Sequence, residues 1–201
     1  ARSTEIHSIL PESIDGFPWA GHLGLRMYEE LVARPHPGVS TLLFTNTRNQ
    51  SERWHQCLRF ACPEMEDALA LHHSAIDRSE REAIEAAVKA GGIRWVVCTS
   101  SLDLGVDFQP VEQVVQIGSP KNLARLLQRA GRSAHLPGGT SQVLFMPTNA
   151  LELLELSAVR RGLDEGLVEQ RKPPHAPLDV LLQHLTSLAC GPGFDPDHTL
   201  Q

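Results

Sequence analysis

The sequence predicts an α/β fold built on an open, mostly parallel sheet with helices on both faces, followed by a helical C-terminal extension. Short β-rich runs alternate with helical patterns in the order βαβαβ(loop)βαβ. Several of those runs are apolar at nearly every position, as strands covered on both faces must be. Gly and Pro punctuate the joints.

Residues 1–38 read as a lead-in segment and a helix. Thr4 to Leu10 has strand character, and Pro11, Gly16, Pro18 and Gly21 punctuate a connector. Leu23, Met27, Leu31 and Val32 then keep helical spacing until Pro35-His36-Pro37-Gly38. Residues 39–150 carry the regular alternation. Thr41 to Thr45 forms a strand, Asn46 to Gln50 a polar turn, and Trp54, Cys57, Leu58 and Ala61 the apolar face of a helix. Ala68 to Leu71 is a second strand, leading through His72-His73-Ser74 into a helix. There Asp77 and Glu80 have capping-box spacing, Ile84, Ala87 and Val88 form the inward stripe, and Gly91-Gly92 is the stop. Ile93 to Thr99 and Val111 to Ile117 are the next strands. A helix from Asn122 to Ala130 buries Leu123, Leu126 and Leu127, and Pro137-Gly138-Gly139 turns into the strand Ser141 to Met146.

Residues 151–201 change character. Leu151, Leu154 and Ala158 mark the apolar side of a helix closed by Gly162, and a last helix spans Leu178 to Ala189. This tail is too small to pack a core alone. Its end, Cys190-Gly191-Pro192-Gly193-Phe194 and a polar tail, reads as a cut within a following domain, and a start on Ala1 instead of Met reads as a processed or excised piece.

With 41% hydrophobic and 21% charged residues, fibrous, collagenous and wholly disordered classes are excluded. No apolar run approaches the roughly 18 residues of a membrane span, and no basic segment leads into an apolar one, so a cytoplasmic setting is expected. Cys57, Cys62, Cys98 and Cys190 form no C-x-x-C pair and read as reduced, mostly core thiols. The net charge of −6 argues against a nucleic-acid partner only as an average. From Gln113 through Ala150 there is no carboxylate, while Lys121, Arg125, Arg129 and Arg132 give +4. A Debye length of about 8 Å lets such a basic face coexist with an acidic body.

In parallel sheets ligands gather at the carboxyl ends of strands. Those ends here carry Thr45-Asn46-Thr47-Arg48, His72-His73-Ser74, Thr99-Ser100-Ser101 with Leu104-Gly105-Val106-Asp107, and Gly118-Ser119-Pro120-Lys121. The following helix ends in Gln128-Arg129-Ala130-Gly131-Arg132. Hydroxyls, a backbone-exposing Gly and Arg forks are the groups that bind phosphate oxygens. Other chemistries find less support. His72-His73 lacks the remaining ligands a zinc would need, so no metal site is expected. Asp103 with Asp107 has no partnered nucleophile, and the hydroxyl cluster has no G-x-S-x-G elbow. Trp54 and Trp95 sit on core faces, while Trp19 stays open as a base-stacking candidate. Arg129 and Arg132 could also be solvated charges at a helix end.

The series Leu42-Leu43-Phe44-Thr45-Asn46-Thr47-Arg48, Leu71-His72-His73-Ser74, Val97 through Asp107, and Gln128-Arg129-Ala130-Gly131-Arg132 resembles motifs IV, IVa, V and VI of superfamily 2 helicases. Within them it is most similar to the Lhr (large helicase-related) family, ligase-associated DEXH-box branch, over about Phe17 to Phe194. The resemblance implies the second of two RecA-like motor domains, with ATP and Mg2+ bound mainly by the first. Neither a G-x-x-x-x-G-K-[ST] phosphate loop nor an Asp-Glu-x-His box is present, so this piece alone is expected not to hydrolyse ATP. It implies Arg132 as the arginine finger and Arg129 as its companion, and Gly105, Asp107, Gln128, Arg129 and Arg132 as nucleotide contacts. Thr45, Asn46, Arg48, His73, Ser74, Thr99, Ser100 and Lys121 are the expected holders of a DNA backbone. His135 stands where many superfamily 2 helicases carry a third Arg. Also implied are 3′ to 5′ polarity, a bacterial DNA-repair setting beside a ligase and a nuclease, single-stranded or tailed duplex DNA as partner, and the start of a winged-helix domain from about Pro177. A stand-alone nucleic-acid or protein binding module, and half of an RNA helicase, remain as other readings.

Overall fold

The computed structural model describes residues 4–11, 13, 17, 19, 23–33, 39–103, 111–133, 141–167, 175–191, 193 and 195. The chain divides into two compact units, 1–169 and 170–201.

In the first unit six strands form one sheet: β1 (Thr4–Ser8), β2 (Thr41–Phe44), β3 (Leu69–His72), β4 (Trp95–Cys98), β5 (Gln113–Ile117) and β6 (Ser141–Met146). Their order is β1-β6-β5-β2-β4-β3, and every pairing is parallel. The helices are α1 (Tyr28–Ala33), α2 (Arg48–Ala61), α3 (Arg78–Lys89), α4 (Leu123–Ala130) and α5 (Ala150–Asp164). Side chains of a strand alternate between faces, and here both sets are apolar. Leu43, Val97, Val115 and Leu144 pack with Trp54, Leu58, Met27 and Leu31 on one side. Leu42, Phe44, Val96, Cys98, Val114 and Val143 pack with Leu126 and Ala130 on the other. Two buried faces explain why the strands read as unbroken apolar runs. Trp54 and Trp95 are core residues, and the Trp54 indole N–H donates to the Leu23 carbonyl at 2.9 Å. Cys62 and Cys98 are buried, Cys57 is half-buried, and all four cysteines are free thiols. Burial pushes the Cys98 thiol far above its ordinary range.

Local readings change at four places. The strand expected within Thr4 to Leu10 is β1, and what the lead-in reading did not give is its place at the edge of the main sheet, where its partner is β6 and Ile9 beyond it is fully buried. Helix α2 begins inside the expected turn, because Thr47 accepts the Gln50 N–H at 3.1 Å and caps it. Asp77 stands at the N-cap of α3, yet its side chain makes no capping bond. In α5 the buried residues are Glu152 and Leu156, whereas Leu151 and Leu154 are 55% and 70% exposed. The helix also runs past Gly162: a Cβ there would lie 3.1 Å from Leu123 Cδ2, so this glycine permits close helix approach and is not the stop. Among the described residues of the second unit, the helix α6 (Leu178–Cys190) matches the expected last helix and leaves Leu178, Val180 and Leu182 exposed. Among the described residues no helix is long and apolar enough to cross a membrane.

Candidate functional site

Parallel pairing brings the carboxyl ends of all six strands to one edge, so the sequence's polar strand ends become a single rim. Not all of its residues face outward. Thr45 is fully buried; its N–H and its hydroxyl both donate to the Cys98 carbonyl, at 2.8 and 3.1 Å. It therefore ties β2 to β4 and has no surface to offer a DNA backbone, contrary to expectation. Asn46 is half-buried, and its amide donates to the Ser119 carbonyl at 2.7 Å, joining the ends of β2 and β5. Arg48 is exposed and donates through Nε to Glu52 Oε1 at 2.7 Å. That bond holds the Glu52 carboxyl below its usual range.

His73 is only 4% exposed, with Nε2 3.4 Å from the same Glu52 oxygen. Its Nδ1 accepts the Ala75 N–H at 3.3 Å, so Nε2 is the ring nitrogen that faces the carboxylate. A ring so enclosed shapes the turn after β3 and leaves the exposed Ser74 as the accessible group there. Ser100 and Lys121 are exposed and Thr99 is half-buried. Lys121 adopts a left-handed φ of 72°, braced by its N–H to Ser119 Oγ at 3.2 Å. The candidates that can touch a ligand are thus Asn46, Arg48, Ser74, Thr99, Ser100 and Lys121.

Behind this rim lie Glu152 and Glu85, which the sequence did not single out, and His72, which it weighed only as a metal ligand and as part of a strand end. Glu152, 9% exposed, accepts the Ser119 N–H at 3.0 Å through Oε1 and the Thr148 N–H and hydroxyl at 2.6 and 3.1 Å through Oε2. One carboxylate thereby fixes the chain leaving both β5 and β6. The signal was present: Asn149 caps α5 and Glu152 stands three residues on, the spacing of a capping box. Glu152→Ala strands three donors and is expected to cost about 2–4 kcal/mol by urea unfolding, whereas the exposed Glu155→Ala should stay within about 0.5 kcal/mol.

His72 is fully buried, with Nδ1 2.8 Å from Ser101 Oγ and Nε2 3.0 Å from Glu85 Oε1. Burial lowers its pKa below the ordinary 6.5, outweighing the opposite pull of Glu85. The unfolded imidazole then binds a proton at a higher pH than the folded one, so stability is full above pH 6.5 and is lost as pH falls below it. Unfolding measured between pH 5 and 8 should show this slope, and His72→Gln should flatten it.

The second half of the site is built on Asp103, 7% exposed, at the end of the turn Ser100–Leu102. Arg129 is 1% exposed and grips its carboxylate through Nε to Oδ1 at 2.8 Å and an Nη to Oδ2 at 3.4 Å. Its other Nη donates to Gln116 Oε1, and the guanidinium stacks 4.5 Å over the Phe44 ring. Arg125 Nε lies 3.6 Å from Oδ2. Arg132, half-buried, donates instead to the main-chain carbonyl of Asp103 at 2.9 Å. Arg129 is therefore not a nucleotide contact beside Arg132, as expected, but an internal clamp. The physical reason is helical phase: Leu126, Arg129 and Ala130 share the buried stripe of α4, while Gln128 stands on its exposed face. Sequence reasoning also set Asp103 aside because it lacked a nucleophile partner; its partners are cations that only folding brings near. Gly105, Asp107 and His135 lie outside the described residues. Among the described residues no group of three or more His, Cys, Asp or Glu is placed to hold a metal ion.

A model of the helicase conserved C-terminal domain matches residues 25–136, and a model of the winged-helix domain of large helicase-related proteins matches residues 161–201. The chain belongs to the Lhr family of superfamily 2 helicases. It is 34% identical to ATP-dependent helicase Lhr-Core protein 2 of Thermococcus barophilus, over 94% of this chain and 22% of that protein. It is 36% identical to ATP-dependent helicase Lhr-Core of Methanothermobacter thermautotrophicus, over 89% of this chain and 21% of that one. The chain thus spans about a fifth of the length of these Lhr-Core relatives. A solved structure of Mycobacterium smegmatis helicase Lhr bound to ssDNA and AMP-PNP superposes with a TM-score of 0.79 at 27% identity, covering 94% of this chain and 25% of that one. The C-terminal domain of the DEAD-box protein Dbp5 shares the fold, with a TM-score of 0.60 at 16% identity over 93% of this chain and 98% of that domain. This Lhr-family chain is accordingly a helicase C-terminal domain of RecA-like α/β architecture.

Proposed function

We propose that this Lhr-family domain is the second motor domain of an ATP-dependent 3′ to 5′ DNA helicase, supplying the arginine finger and half of the track for the DNA backbone. The observation that carries the reading is the joining of two groups at one edge: a polar rim suited to phosphate oxygens, and Arg132 held on Asp103 beside it. ATP is the substrate, with Mg2+ bound mainly by the first motor domain, which also supplies the phosphate loop and acidic box that this chain lacks. Arg132 would neutralise charge on the transferring phosphoryl group, with Gly105, Asp107 and Gln128 as further nucleotide contacts. Asn46, Arg48, Ser74, Thr99, Ser100 and Lys121 would hold the strand, and contacts to phosphate and sugar alone give a grip without sequence preference. ATP binding closes the cleft and moves this domain along the strand; hydrolysis and release reopen it. Resemblance to the ligase-associated DEXH-box branch extends the reading to bacterial, cytoplasmic DNA repair beside a ligase and a nuclease.

The test is direct. Binding of this chain to a single-stranded oligonucleotide, followed by fluorescence anisotropy, should be weak and should fall linearly on a log–log plot against salt. Lys121→Ala should reduce that slope by about 0.7, the loss of one phosphate contact on a single strand. Binding insensitive to salt would contradict the reading. In the intact protein, unwinding of 3′-tailed but not 5′-tailed duplexes tests the polarity, and comparison of DNA with RNA tracking strands decides between nucleic acids.

A further inference from the structure

Asp103 makes two kinds of contact that pull in one direction. Its carboxylate is the acceptor for Arg129 and faces Arg125, both on α4. Its carbonyl is the acceptor for Arg132, in the turn that continues α4. Toward the other side of the rim, its own N–H donates to the Ser100 carbonyl at 3.1 Å, and the turn it ends begins directly after Thr99. Val111 N–H donates to the Arg132 carbonyl at 2.9 Å, so the backbone of Arg132 is held as well. A shift of Asp103 therefore shifts the seat of Arg132, and a shift of Thr99 or Ser100 shifts Asp103.

We propose that Asp103 is a positioning residue of the reaction: buried under α4, it seats Arg132 for the phosphoryl group and links that seat to the strand end carrying Thr99 and Ser100. The inference rests on the reading of Arg132 as the finger and of Thr99 and Ser100 as backbone contacts. A group placed about 1 Å wrong can cost roughly 100-fold in rate without loss of binding. The decisive substitution is accordingly Asp103→Glu, which keeps the charge for Arg129 but pushes the carboxylate outward by one methylene. Asp103→Asn, which keeps the shape and removes the charge, is its companion.

The experiment measures kcat and KM for ATP in the intact helicase with and without single-stranded DNA, alongside DNA affinity and thermal unfolding of each variant. Asp103→Glu should remain folded at the assay temperature, whereas Asp103→Asn leaves the buried Arg129 without its charge partner and is expected to be the less stable of the two. They should lose about 10–100-fold in DNA-stimulated kcat while KM and DNA affinity stay within about threefold. Folded variants with wild-type kcat overturn the proposal, as do variants whose DNA affinity falls in step with kcat. Should Asp103→Asn unfold, Asp103→Glu decides alone; should both unfold, Asp103 is a determinant of folding and the proposal is overturned. Arg132→Ala is assayed in parallel. If it retains turnover, the finger reading itself fails; if it loses turnover while both Asp103 variants keep theirs, only the present inference fails.

Discussion

Arg132→Ala in the intact helicase is expected to lower DNA-stimulated ATP turnover by about 10³–10⁵-fold, the range found for arginine fingers. That is roughly 4–7 kcal/mol of transition-state stabilisation. The size follows from the proposed role: in a closed, water-poor cleft the guanidinium would neutralise charge that develops on the phosphoryl oxygens. The described cations nearby, Arg125 and Arg129, are turned to the Asp103 carboxylate. Arg132→Lys should recover little, because an ammonium cannot reproduce the planar fork that meets two oxygens together. The measurement is steady-state hydrolysis at saturating ATP and DNA, with DNA affinity as control. A kcat within tenfold of the parent would remove Arg132 from the chemistry.

Arg129→Ala is expected to destabilise this chain by about 3–5 kcal/mol, the typical result of removing one partner from a buried ion pair. Against a total of about 5–15 kcal/mol for a domain, that is enough to populate the unfolded state at moderate temperature. Three losses add. Among the described residues Asp103, 7% exposed, keeps only Arg125 at 3.6 Å as a cationic neighbour of its carboxylate; Gln116, fully buried, loses the Arg129 donor; and the Phe44 ring loses the cation stacked on it. Urea unfolding checks the figure, with a loss under about 1 kcal/mol counting against the clamp. The double replacement Arg129→Met with Asp103→Leu should restore most of the stability, since an apolar pair in place of a buried ion pair is often neutral or better. Restored stability would show that the clamp is not required for folding as such.

Much of the fold was legible because strand burial writes itself into composition. Leu42 and Phe44 serve one face of the sheet and Leu43 the other, so the run had to be apolar throughout, and no other arrangement explains that pattern so well. Helix α4 was legible for the complementary reason, a stripe at Leu123, Leu126 and Ala130 begun by the cap Asn122. The strand character of β1 was legible too, but its place at the sheet edge was not, because that depends on a partner 137 positions away at Ser141.

The candidate site divides along the same line. Local sequence determined which residue types stand after each strand and, through the resemblance they carry, the family to which the chain belongs. It could not determine which of them face the ligand, because that depends on partners brought together from distant positions. Thr45 is hidden by the Cys98 carbonyl, His73 is enclosed beside Glu52, and Arg129 is drawn inward by Asp103 and Gln116. A polar side chain near a strand end reaches outward only if no buried acceptor satisfies it first. The parallel α/β sheet was thus fixed by periodicity that each segment carries alone, whereas the division of its polar rim into exposed groups and enclosed clamps was decided by the tertiary structure, where hydrogen-bond satisfaction between segments sets the outcome.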